Sequence, residues 1–224
     1  MSRQGFEREL QRLQDSVLAL GSMVEGALLQ SVDVLKRRDL EGARRIIAGD
    51  RTINERRFAI EADCLAVIAT QQPAARDLRM LAAVLEVATE LERIGDYAKG
   101  ISRITLMMGE EPPLKPLIDI PRMAELACRM LRAALDAFVR RDVALARAIP
   151  SQDSEVDALY DQVYRELLTY ILADPRNTDR ATRLLWVAHN LERAADRVTN
   201  ICERVVFTVT GEMNELDVKD ELVP

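Results

Sequence analysis

The chain is written twice. At an offset of 100 positions, VLEVATELERIGD (Val84 to Asp96) meets LLWVAHNLERAAD (Leu184 to Asp196). At an offset of 103, RRDLEGAR (Arg37 to Arg44) meets RRDVALAR (Arg140 to Arg147), and Asp50 meets Asp153. The change of offset places a three-residue length difference in a loop near Pro73 and Pro175. A duplicated chain must fold as two like units, so whatever pattern one half shows binds the other.

That pattern is helical. Leu10, Leu13, Val17, Leu20, Val24, Leu28, Val32 and Leu35 recur every three or four residues, the signature of one apolar helical stripe. RRDLEG and QQPAARD interrupt such stripes, and Pro73 suits a first helical turn. Helices are expected roughly at residues 5–37, 40–69, 74–108, 118–140, 143–172 and 178–211. One of about 30 residues is about 45 Å long, and three can bury their stripes against one another. The expected fold is all-α, two tandem antiparallel three-helix bundles, with no strand-like alternation beyond a few residues. Four of the eight prolines fall in GEEPPLKPLIDIP (Gly109 to Pro121), where proline blocks a helix. The repeats are accordingly placed at residues 1–110 and 117–224, with a linker between them.

Composition agrees. Hydrophobic residues make up 48% of the 224, enough for a core, while aromatics are only 4%, which favours close-packed helices over β-sandwiches. A net charge of −6 argues against a general nucleic-acid binder. Cys64, Cys128 and Cys202 are odd in number and widely spaced, which suits reduced, buried thiols in a cytoplasmic protein. The first ten residues, MSRQGFEREL, carry charges where a signal peptide needs an apolar core. No uninterrupted apolar run reaches about 18 residues, so no membrane span is expected.

Glu92 and Asp96 stand one turn apart on a helix and repel, at a cost of roughly 0.2–0.5 kcal/mol. Glu192 and Asp196 repeat the arrangement. Projected on a helix, Glu192, Asp196, Asn200, Glu203 and His189 share a strip about 80° wide. Leu191, Ala195, Val198 and Cys202 lie beside it on the core side. The first strip begins alike, with Thr89, Glu92 and Asp96, and ends in Gly100 and Arg103. Two readings stand. Carboxylate and amide oxygens suit hard cations, which remove the repulsion. Equally, Arg93 and Arg193 are spaced to pair with Asp96 and Asp196 as ordinary helix-surface ion pairs. His189 is the sole histidine, so the paired Glu-x-x-His of di-iron bundles is absent; His-x-x-Glu occurs once, reversed. No GxxxxGK[ST] phosphate loop is present either. The sequence points away from an enzyme.

GSMVEGALL (Gly21 to Leu29), QQPAARDLR (Gln71 to Arg79), ELERIGDYA (Glu90 to Ala98) and NLERAADRVTNICE (Asn190 to Glu203) together resemble the PhoU family of phosphate-transport regulators. The resemblance runs through nearly the whole chain and includes the duplication. It implies a cytoplasmic regulatory adaptor, not an enzyme. Such an adaptor couples the ATPase subunit of the phosphate-specific ABC transporter to a sensor histidine kinase and represses the phosphate-starvation response. It would be a homodimer that reaches membranes through its partners and binds no nucleic acid. The resemblance also implies metal ions (Fe, Zn, Mg or Mn) at Glu92 and Asp96 in one site, and at Glu192, Asp196, Asn200 and Glu203 in the other. AAD stands at Ala194 to Asp196 where the family has IGD. The alternative is a metal-binding or metal-storing helical bundle.

Overall fold

The computed structural model describes residues 3–216. Seven α-helices run as α1 (Arg3–Arg37), α2 (Leu40–Gln71), α3 (Ala75–Met108), α4 (Asp119–Arg140), α5 (Val143–Ala148), α6 (Asp153–Ala173) and α7 (Thr178–Thr210). Among the described residues there is no strand. Five of the six expected helices appear with ends within a few residues of expectation. The exception is the expected helix over 143–172, which breaks into α5 and α6 around a 3₁₀ turn, Pro150–Gln152. Pro150 lacks the N–H an uninterrupted helix would need. Its counterpart in α2 is Ile47, and α2 continues through it unbroken.

The turn between the first two helices of each repeat is copied down to its backbone. Arg38 and Arg141 both adopt positive φ, 59° and 55°. The aspartates that follow cap the next helix. The Asp39 carboxylate accepts from the Gly42 N–H at 2.8 Å, and Asp142 from the Leu145 N–H at 3.0 Å. Each cap supplies one of the donors at a helix start with a partner, worth about 1 kcal/mol.

Helices α1, α2 and α3 pack on one another, as do α4, α6 and α7, with α5 against α4 and α7. The two bundles then join, α3 along α7 and α1 along α4, so their apolar faces merge into one core. At the α1–α4 contact a Cβ on Gly21 would stand 2.3 Å from a methyl of Leu135, so any larger residue there obliges the Leu135 side chain to move. By length and composition one described helix, α1, is apolar enough to cross a membrane. Its Leu13, Val17, Leu20, Val24 and Leu28 lie buried in the core, as the stripe of a core helix does.

The proline-rich linker is clamped. Arg38 donates to the Glu110 carbonyl at 3.0 Å, and Arg180 and Arg183 donate to the Pro112 and Met107 carbonyls, each at 2.7 Å. Lys115 is buried, ion-paired with Glu166 and 3.6 Å from Asp119. The two bundles are therefore held in register by ion pairs and hydrogen bonds that composition alone does not reveal. All three cysteines are buried free thiols. Burial pushes the thiol of Cys64 up to about 11, and those of Cys128 and Cys202 up to about 12.

Candidate functional site

Both acidic strips lie beside the long contact between α3 and α7. In the first, the α2 residue Asp50 joins Glu92 and Asp96, and Lys99 stands among them. The Lys99 Nζ is 2.6 Å from Asp50 Oδ2 and 3.4 Å from Asp96 Oδ1. The Asp50 side chain is only 9% exposed, and its Oδ1 is buried without a hydrogen-bond partner. Burial pushes the Glu92 carboxyl up, and Asp96 and Asp50 add to this while Arg57 and Arg93 oppose it. Arg103 is exposed, and the cation that pairs with Asp50 and Asp96 is Lys99. The expected Arg93–Asp96 pair does not form. Arg93 turns to Glu90 at 2.7 Å, on the face toward α7.

The second strip has the same two motif carboxylates in another setting. Asp196 is 18% exposed where Asp96 is 49% exposed. Here the expected surface pair does form, with Arg193 donating to Asp196 at 2.7 Å. His189 is exposed, with Nδ1 3.6 Å from Glu192 Oε2. Tyr160 of α6, in the position of Arg57, has its ring centre 6.3 Å from that of His189. Burial and the Glu192 charge push its phenol up. Asp153 stands in the place of Asp50, also buried, and Thr199 in the place of Lys99. The Thr199 hydroxyl is buried without a hydrogen-bond partner.

Asp196, Asn200 and Glu203 do line one groove of about 310 Å³, together with Thr199, Arg193 and Arg197. Within it, Asn200 and Glu203 are already engaged. Asn200 donates its amide to Glu90 at 3.1 Å, and Glu203 accepts from the Leu216 N–H at 3.0 Å, tying the end of the described chain to α7. Glu90 is the residue the sequence reading missed. It is almost buried and takes Arg93, Arg197 at 3.5 Å and Asn200 as partners, which joins the two repeats across their seam. Its repeat counterpart, Asn190, faces Gly100, whose Cβ would lie 3.1 Å from the Asn190 Oδ1. Positions 90 and 100 of α3 thus meet positions 200 and 190 of α7 in a two-fold exchange. A buried glutamate with three donors satisfies the demand that a buried charge be paired.

The resemblance implies a metal at these strips, and the side chains as placed do not form a site for one. In the first, an ammonium already bridges two of the carboxylates. Among the described residues no three His, Cys, Asp or Glu groups converge closely enough to hold a metal ion.

The PhoU domain family model matches residues 17–105 and 120–205, one copy per repeat. The phosphate-specific transport system accessory protein PhoU homolog of Aquifex aeolicus is 37% identical over 206 residues, covering 92% of this chain and 93% of the relative. The PhoU accessory protein of Escherichia coli K12 is 34% identical over 207 residues, covering 92% and 86%. The crystal structure of PhoU from Pseudomonas aeruginosa superposes with a TM-score of 0.86 at 33% identity, over 92% of this chain and all of the other (100%). The phosphate transport system regulatory protein PhoU from Streptococcus pneumoniae gives 0.86 at 32%, covering 93% and 99%.

Proposed function

The chain belongs to the PhoU family, and from that premise we propose that it is an accessory regulator of phosphate transport. The observation that carries the reading is the extent of the likeness. Relatives named as accessory or regulatory proteins of the phosphate transport system match both repeats and almost the full chain. In this reading the protein is cytoplasmic, docks as a homodimer on the ATPase subunit of the transporter, contacts a sensor histidine kinase, and represses the starvation response when phosphate is plentiful.

Such a regulator transmits information by binding one state of its partner better than another. A rigid body suits that role, because contacts made at one bundle are felt at the other. The clamped linker, the merged core and the Glu90 network supply the rigidity here. The alternative of a metal store has less support, since the first strip holds its own cation.

Deleting the gene and measuring starvation-gene expression in phosphate-rich medium tests the proposal. Constitutive expression is the expected result, and unchanged repression would overturn it. Recovery of the protein with membranes should depend on the transporter; equal recovery without the transporter would remove that partner from the reading.

A further inference from the structure

We propose that the ammonium of Lys99 occupies the cation position of the first acidic strip, so that this repeat takes no metal ion while Lys99 is present. The proposal is independent of the transporter role and rests on the geometry of the strip. Asp50 on α2 and Asp96 on α3 belong to different helices, and one charge bridges them, Nζ at 2.6 Å from the first and 3.4 Å from the second. That is the place a hard cation would take among these oxygens. The Lys99 side chain is 23% exposed and its aspartate partner 9%, so the pair is sheltered from bulk water.

A tethered charge competes on favourable terms. It stands at a high effective concentration without any loss of translational freedom. A divalent ion entering the strip must displace it and leave the ammonium without its buried partner. Arg57 lies on the same side, close enough to Glu92 to oppose the rise of its carboxyl. The second repeat lacks both cations, with Thr199 and Tyr160 at the corresponding positions. The difference is therefore written in two residues on two helices, outside the Glu-x-x-x-Asp motif itself.

The test uses Mn²⁺ alone as the probe. In a Glu192→Ala, Asp196→Ala protein that keeps Lys99, NMR amide signals of residues 92–100 should keep their intensity as Mn²⁺ is titrated. Selective broadening of these signals at low Mn²⁺ would overturn the proposal, and this measurement leaves the first strip itself unaltered. In that same background, which removes the second strip from the count, Lys99→Thr should bind Mn²⁺ about tenfold tighter than the protein with Lys99. Its melting temperature should fall on substitution and recover with Mn²⁺. A Lys99→Thr protein that melts lower, binds no more Mn²⁺ and is not rescued would show that Lys99 is a plain ion-pair partner, and the proposal would fail.

Discussion

The two repeats carry the same carboxylate pair and treat it differently. In the first, Asp96 is half exposed and faces Lys99, which also holds the buried Asp50. In the second, Asp196 is mostly enclosed and held by Arg193 from its own helix, while Tyr160 and Thr199 replace the two cations. Duplication copied the helices, the caps and the motif. It did not copy Lys99 and Arg57, the two cations beside the motif. What a Glu-x-x-x-Asp pair does is decided by residues one helix away, so two copies of one motif are not two copies of one site.

Removing the cation should break this comparison most visibly. Lys99→Met leaves the buried Asp50 carboxylate with the Asn54 amide but no counter-charge and should cost about 3 kcal/mol, while Lys99→Met with Asp50→Leu should recover most of that loss. At the matching position, Thr199→Val removes a buried hydroxyl that has no hydrogen-bond partner, and stability should be unchanged or slightly higher. Denaturant unfolding of the three proteins measures the contrast. Similar losses at Lys99 and Thr199 would mean that the repeats are electrostatically alike.

The seam is unequal in the same way, on a smaller scale. Glu90 holds three donors from both repeats, whereas Asn190 donates to the Trp186 carbonyl of its own helix, at 2.7 Å. Glu90→Ala should cost about 2–3 kcal/mol, since it strands Arg197 and Asn200, and Asn190→Ala about 0.5 kcal/mol. Calorimetric melting of both variants checks the order.

Much of this organisation was legible in the sequence. The apolar stripes placed α1, α2, α3, α4 and α7 because burial of one face sets a period that any reader can count. The break at Pro150 was also written there, yet the expected helix ran through it, since the apolar pattern on either side continues. The candidate site was legible only along each helix. The spacing found Glu92, Asp96, Glu192 and Asp196, but contacts between helices depend on their relative rotation. Lys99 meeting Asp50, Arg93 turning to Glu90 and Asn200 reaching Glu90 all depend on it. One signal was available, the recurrence of Asp50 as Asp153, a charged residue retained in both copies of a helix.

A smaller contrast tests how the motif helix is packed. A Cβ on Gly95 would lie 3.2 Å from two carbons of Ile53, tight enough that Ile53 must give way. In the second repeat Ala195 stands at the same position, and the counterpart of Ile53 is the smaller Val156. Gly95→Ala alone sets the gain in helix propensity, about 1 kcal/mol, against crowding. Combined with Ile53→Val the crowding is relieved, so the double-mutant cycle should show a favourable coupling of about 0.5–1 kcal/mol. A coupling of zero would mean that the backbones, not these side chains, set the spacing of α2 and α3.

The smallest expected effect concerns Glu92 and depends on pH. Its folded-state carboxyl is raised above the ordinary value of 4.5, first by burial and then by Asp96 and Asp50. The folded protein therefore keeps this proton to higher pH than the unfolded chain does. Below the ordinary value both states are protonated and the group has no effect. As pH rises through the interval between the two values the unfolded state ionises first, and stability is lost until the folded carboxyl has also ionised. Glu92→Gln removes that loss, so its melting temperature should match the native one in acid and slightly exceed it at neutral pH. Arg57 opposes the rise, and Arg57→Tyr installs the residue of the second repeat. That change should widen the interval and enlarge the stability gained on Glu92→Gln. Melting curves from pH 4 to 8 for the native chain, the two single variants and the double variant decide it. A gain from Glu92→Gln that Arg57→Tyr leaves unchanged would place Arg57 outside the electrostatics of the first strip.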